Sequence, residues 1–190
     1  MVRRLLSGFR VRRLRLFCLE DQGALQAGPA RLPIAIAPAT PADATPIAEL
    51  RGLVRANAFG RYLAEGQLGV YAWLERRVVG HAWAVICRAE RHRANGYFDL
   101  GRDEALIHSC YVDEAHRGQG IYPAMLAALG QRLFEEAGIR RIWIDTEAGN
   151  RASLRGIAKV GFKPVGEGLY IQYRRRLLFK RTRYDVPVAG

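Results

Sequence analysis

From Arg13 onward, apolar Leu14, Leu16 and Cys18 alternate with Arg13, Arg15 and Phe17. A period of two is that of a β-strand, whose successive side chains point to opposite faces. This strand is expected at the edge of the domain. Residues 20–33, with Gly23, Gly28, Pro29 and Pro33, read as a linker. A short strand follows over 34–37. Thr40-Pro41-Ala42-Asp43 then opens a helix: Thr40 can cap it, Pro41 suits the first helical position, and Asp43 favours the positive end of the helix dipole. Ile47, Leu50, Leu53 and Val54 would form its apolar stripe, and a second helical stretch runs over 57–66.

Two apolar runs, 68–74 and 78–86, flank Glu75-Arg76-Arg77 and predict an antiparallel hairpin. Residues 88–102 are polar, contain Gly96 and Gly101, and read as a loop. A strand over 105–112 precedes a long helix over 120–137, in which Ala124, Leu126, Ala127, Leu129, Leu133 and Phe134 are apolar and Gly138 lies just past the end. A strand over 140–145 and a short helix over 150–160, ended by Gly161, come next. The tail, 162–184, reads as one or two strands with a bend near 174–176. Helices fall between strands in the second half only, which favours an α/β fold on a mixed sheet with parallel and antiparallel pairs.

The chain has 190 residues, enough for one domain with a real core. It contains no run of eighteen apolar residues, so no membrane span is expected. Its 30 basic residues outnumber 18 acidic ones, for a formal net charge of +12, nearly all of it carried by arginine. Such a charge attracts polyanions without choosing among coenzyme A, nucleotides, nucleic acid and anionic lipid; a solvated basic surface explains it equally well. No helix-turn-helix, zinc-finger or RNP-type aromatic motif accompanies it, so nucleic acid is not the expected partner. The arginine-rich start, through Phe17, resembles a transit peptide or a basic membrane anchor. It lacks the continuous apolar core and small-residue cleavage site of a secretory signal. Cys18, Cys87 and Cys110 have spacings that fit neither a CxxC pair nor a zinc site. Reduced thiols in a cytoplasmic protein, with no metal, are the expectation.

Chemistry concentrates between the strand over 105–112 and the long helix, in Arg117-Gly118-Gln119-Gly120-Ile121-Tyr122. The first turn of a helix leaves backbone N–H groups unpaired at its positive end. Glycines at 118 and 120 remove side chains that would block a phosphate, and Arg117 adds a fork of donors. These are the parts of a diphosphate site. The Walker pattern fails because no lysine follows Gly120, and the GxGxxG fingerprint fails for want of a third glycine. A generic anion site and a purely structural turn both remain open on this chemistry alone.

The spacing of Arg117, Gly120 and Tyr122 resembles the R/Q-x-x-G-x-G/A motif of the GNAT N-acetyltransferases. Asn150-Arg151-Ala152-Ser153 followed by Lys159-Val160-Gly161-Phe162 is similar to that family's N-x-x-S/A…K-x-G-F helix, and Ile142-Trp143-Ile144-Asp145 to the strand before it. The resemblance covers residues 68–175. It departs at Tyr122, where the family has a small residue, and at Ile157, where many members carry the tyrosine that protonates the departing thiolate.

The resemblance implies a mostly antiparallel central sheet flanked by helices, with a V-shaped splay between two parallel strands, here 105–112 and 140–145. Residues 1–33 would form a basic strand and linker, and 34–190 the acetyltransferase domain, within a single domain overall. It implies acetyl-CoA as co-substrate, a small-molecule amine as acceptor, and direct attack of the amine on the thioester. Cys110, Tyr111, Val112, Arg117, Gly118, Gln119, Gly120, Ile121, Tyr122, Asn150 and Ser153 would hold the coenzyme, with a backbone amide near 110–112 polarising the carbonyl.

Asp145 is the first candidate for the base that strips the ammonium. Glu104 and His108 are further candidates, Glu147 a substrate contact, and Tyr170 and Tyr173 substitutes for the missing tyrosine. Each has a plainer reading: Asp145 as a cap or turn residue, His108 as a satisfied structural histidine, and the tyrosines as packing. Cys110 has no evident base partner, which argues against a covalent intermediate. Cations at 174–176 and 180–183 would favour an anionic acceptor such as an amino-sugar nucleotide. A catalytically silent acyl-CoA sensor on the same fold, a basic nucleic-acid module and a homodimeric assembly stay open.

Overall fold

The computed structural model describes residues 9–26, 28–94, 97–174 and 176–185. The arginine-rich residues 1–8, Gly96 and Arg175 lie outside the described residues. Eight strands form one sheet: β1 (Phe9–Leu19), β2 (Ile34–Pro38), β3 (Leu68–Leu74), β4 (Arg77–Cys87), β7 (Glu104–Val112), β8 (Arg141–Glu147), β9 (Lys163–Tyr173) and β10 (Arg176–Tyr184). Their order is β10-β9-β1-β8-β7-β4-β3-β2. Only the β7–β8 pair is parallel; the other six are antiparallel. A separate hairpin is made by β5 (Arg91–Ala94) and β6 (Phe98–Gly101).

Helix α3 (Ile121–Glu135) seals one face of the sheet. Met125, Leu126, Leu129 and Leu133 pack with Ala82, Ala84, Ala105, Ile107, Ile142 and Ile144. Ile157 of α4 (Arg151–Lys159) joins the same cluster. On the opposite face, α1 (Ala44–Arg51) and α2 (Leu53–Ala64) bring Ile47, Ala56 and Phe59 onto Tyr71, Val78 and Trp83. Farther along that face, the β5–β6 hairpin lays Ala94, Phe98 and Leu100 against Leu14, Leu16, Cys18, Leu106 and Trp143.

Three expectations are revised. The first concerns β1, which is interior rather than an edge strand: it pairs with β8 through 14–19 and with β9 through 9–18. Leu14, Leu16 and Cys18 face the hairpin while Phe17 and Leu19 face α3, so both sides of its C-terminal half are buried. The true edge at this end is β10, where Arg181 and Arg183 discourage further pairing.

The second concerns residues 88–102, which carry a hairpin rather than a loop. Its outward positions are polar, which hid an alternation that buries Phe98 and Leu100 and exposes Asp99. The third concerns the helix after Thr40, which stops at Gly52 (φ 78°), so Leu53 and Val54 open a new helix and stand 72% and 84% exposed. A capping box between Thr40 and Asp43 does start that segment.

Candidate functional site

The parallel pairing of β7 and β8 runs from Glu104↔Arg141 to Ile107↔Ile144 and then stops. Ser109 sits at φ 49°, and the β4–β7 register slips nearby, between His81 and Trp83. A strand that takes on a bulge bends and twists away from its neighbour. The gap so opened leads into a cavity of about 1100 Å³. His108, Ser109 and Cys110 line it from β7; Ile144, Asp145, Thr146 and Glu147 from β8; Tyr122, Asn150 and Ser153 from the starts of α3 and α4. Arg10 and Arg12 of β1, Arg55 of α2, Tyr97 and the bend at Gln172 and Arg174 complete it.

Asp145 and Glu147 are the carboxylates on its lining. Tyr97 donates its hydroxyl to Oδ2 of Asp145 at 2.8 Å. Burial pushes the Asp145 carboxyl above its ordinary range, opposed by the Tyr97 hydrogen bond and the Arg12 charge. A carboxylate that holds its proton more readily is a better base for an ammonium. Nearby, Arg12 donates to Glu147 at 2.7 Å.

His108 is also present, with Nε2 2.8 Å from Gln67 Oε1 and Nδ1 3.0 Å from Ser109 Oγ. Burial lowers its pKa to about 4, so it is neutral at physiological pH, and both ring nitrogens are engaged. The Cys110 thiol is pushed up to about 12, chiefly by burial, which keeps it protonated and unreactive.

Two of the expected catalytic residues are placed elsewhere. Glu104 lies at the far end of β7, where it accepts from Arg141 Nη1 at 2.7 Å, Trp143 Nε1 at 3.1 Å and the Gly101 amide at 2.9 Å. It ties the start of the parallel pair together, away from the cavity. Tyr170 is 2% exposed, packs at a tilt against Tyr97 with ring centroids 4.8 Å apart, and has its hydroxyl 3.4 Å from Thr182 Oγ1. It backs the cavity wall rather than forming it.

At the mouth of α3, Gly118 and Gly120 both take left-handed φ, 78° and 80°, and Gly120 is the N-cap. The first-turn amides of α3 have no acceptors within the helix. Around Gly118 a side chain would meet nothing within 4 Å. The linker covers the other side of the loop: the Arg31 amide donates to Gln119 O at 2.8 Å, and a Cβ on Gly120 would lie 3.3 Å from the Ala30 Cα. Arg117 is turned back on its own loop, donating to Val112 O at 3.2 Å and pairing with Glu114 at 3.1 Å. Ile121 is in the core, and Tyr111 stacks on buried His81. Asn150 caps α4, its Oδ1 accepting from the Ser153 amide at 3.1 Å.

The cations around the cavity differ from those expected. Arg174 reaches it, but Lys180 on β10 pairs with Asp99 at 2.7 Å, and Arg183 lies 3.9 Å from Asp185. Arg10, Arg12 and Arg55 supply the rest. Arg10, Arg12 and Tyr97 are hidden from a sequence reading that sets β1 at the edge and 88–102 as a loop, and Arg55 lies on α2, whose packing on the sheet no local pattern gives. The alternation Arg10-Val11-Arg12, continuous with that of Leu14 to Cys18, is the signal that extends the strand. Among the described residues no group of three or more His, Cys, Asp or Glu could hold a metal, and no helix is long and apolar enough to cross a membrane.

The profile of the family described as the acetyltransferase (GNAT) family matches residues 40–162. No curated protein matches the chain. Among solved structures, a GNAT-family acetyltransferase from Colwellia psychrerythraea is 18% identical with a TM-score of 0.58; the match covers 88% of this chain and 57% of that one. A GCN5-related N-acetyltransferase from Kribbella flavida is 15% identical with a TM-score of 0.60, covering 87% and 60%. AAC(6')-Iy, in complex with the bisubstrate analogue CoA-S-monomethyl-acetylneamine, is 19% identical with a TM-score of 0.55, covering 79% of this chain and 98% of that one. The chain therefore spans well under two thirds of the first and second of these structures. At such identities the likeness is one of fold.

Proposed function

The chain belongs to the GNAT acetyltransferase family, and from that membership we propose that it moves an acetyl group from acetyl-CoA to the primary amine of a small anionic acceptor. The observation that carries this reading is the parting of β7 and β8 after Ile107 and Ile144, with Asp145 inside the cavity that opens there.

The diphosphate of the coenzyme is assigned to the first-turn amides of α3 and the space beside Gly118. Its pantetheine arm runs past Asn150 and Ser153 to the gap between the strands. Backbone amides of 110–112, freed from β8, polarise the thioester carbonyl; one such donor is worth about 3–4 kcal/mol in a dry site. Asp145 takes the ammonium proton, held in place by Tyr97. The free amine attacks, the C–S bond breaks, and the thiol leaves.

Among the described residues, four arginines against two carboxylates, Asp145 and Glu147, line the cavity. That balance favours an acceptor carrying phosphate or carboxylate and disfavours polyamines and basic peptides. An amino-sugar phosphate or nucleotide has both an amine and the matching charge.

The test is thiol release from acetyl-CoA by purified protein with a panel of amines. Glucosamine 6-phosphate and O-phosphoserine are expected to outrun spermidine and a lysine-rich peptide, and Asp145→Ala to abolish turnover. Preference for spermidine removes the anionic acceptor. Binding of acetyl-CoA without transfer to any amine replaces the enzyme with an acyl-CoA sensor.

A further inference from the structure

We propose that Tyr122, in the first turn of α3, is the acid that gives a proton to the coenzyme A sulfur as the C–S bond breaks. This rests on the acetyltransferase reading above and assigns the one role that reading leaves empty. Ile157, on α4, has no proton to give and is fully buried in the core. Tyr170 has its hydroxyl beside Thr182.

Two phenols line the cavity, Tyr97 and Tyr122. Tyr97 is committed to Asp145. Tyr122 stands on the opposite, coenzyme side, with Asn150 and Ser153. Its hydroxyl is 3.0 Å from Ser153 Oγ. With Ser153 donating, the phenolic proton points into the cavity.

The ring is held as firmly as the hydroxyl. A Cβ on Gly156 would lie 2.5 Å from Tyr122 Cδ1 and 2.9 Å from Cε1. A glycine in mid-helix is less favourable than alanine, and here its bare Cα makes room for the aromatic ring. Tyr122 thus crosses from α3 to α4 and places a hydroxyl one turn away from Ile157. Tyr122 lines the same cavity as Cys110 and Asp145, so it is close to the splay.

Burial raises the phenol and keeps it protonated. A thiolate forming in the same dry pocket is destabilised by the same effect and takes up a proton more readily.

The proton balance closes with groups already named. The first ammonium proton goes to Asp145 and on to solvent. The amine nitrogen bonds to the carbonyl carbon, the C–S electron pair goes to sulfur, and Tyr122 O–H protonates it. The second nitrogen proton enters solvent as the amide forms. One proton returns to the phenolate through Ser153.

The decisive variant is Tyr122→Phe, which keeps the ring on Gly156 and removes only the hydroxyl. With acetyl-CoA and glucosamine 6-phosphate, kcat is expected to fall about 100-fold while KM for acetyl-CoA and Kd for CoA stay within about threefold. With S-acetyl-4-nitrothiophenol, whose thiolate is stable without a proton, the same substitution should cost less than about threefold in kcat/KM. Equal losses on the two donors, an unchanged kcat, or a loss that appears in Kd for CoA overturns the assignment and leaves the acetyltransferase reading standing. A wild-type protein that transfers to no amine overturns both, and is recognised without any variant.

Discussion

Tyr97 and Asp145, 48 residues apart in the chain, are joined by a 2.8 Å hydrogen bond in which the phenol donates to the carboxylate. The bond links the β5–β6 hairpin region to the end of β8 and fixes the orientation of the half-buried Asp145 carboxylate at the splay. It also moderates that carboxylate's basicity: burial raises the Asp145 pKa and the hydrogen bond lowers it.

Asp145→Asn is expected to reduce kcat at least about 100-fold and to raise Tm at pH 7. Because the folded-state pKa of Asp145 is raised, its contribution to stability is complete below the unfolded value and is lost as pH rises through the folded one. At pH 7 the buried charge is therefore a cost, which a neutral amide removes. A lower Tm for the asparagine variant would contradict this.

Tyr97→Phe leaves the carboxylate without its donor. The acid limb of the kcat profile should move to higher pH, and kcat at pH 7 should fall about 2- to 10-fold, equivalent to the net contribution of a typical hydrogen bond, about 0.5–1.5 kcal/mol. A limb that stays in place would mean that Asp145 is not the group being titrated.

Glu104→Ala is expected to weaken the fold rather than the chemistry. Glu104 accepts from Arg141, Trp143 and the Gly101 amide, with 13% of its side chain exposed. Removing it should cost about 2–4 kcal/mol in denaturant unfolding, since it takes one of two carboxylate partners from Arg141, which keeps Glu20, and leaves Trp143 Nε1 and the Gly101 amide without their acceptor. The kcat of the protein that remains folded should stay near wild type.

Gly156→Ala should destabilise the wild-type protein by about 1–3 kcal/mol through the clash with Tyr122. In a Tyr122→Ala background the sign reverses, because only the helix preference for alanine, about 1 kcal/mol, remains. The same sign in both backgrounds would show that the two residues are not coupled.

Arg55→Glu should raise KM for glucosamine 6-phosphate more than about tenfold, while KM for glucosamine, which lacks the phosphate, changes far less. Similar shifts for both amines would place the anionic group elsewhere.

Read along the chain, apolar runs located β3, β4, β7 and β8, which are buried on both faces, and helix start and stop signals located α3 and α4, each to within a few residues. The glycines at 118, 120 and 161 were legible for the same kind of reason: left-handed φ is a local demand. What tertiary structure alone decided was who stands beside whom. Whether β1 is edge or interior depends on a partner more than a hundred residues away. Whether Arg10 and Arg12 face the cavity depends on that placement, and whether Arg55 does depends on how α2 packs on the sheet. The polar hairpin that flanks Tyr97 is held by Phe98 and Leu100 against Trp143 and Leu106, contacts no local pattern encodes. Tyr122 read as a departure from a motif; only the packing of α3 on α4 puts its ring over Gly156 and its hydroxyl at Ser153. Local spacing sets backbone conformation and which face is apolar, whereas a site is an intersection of side chains from distant segments, and that intersection exists only once the sheet order is set.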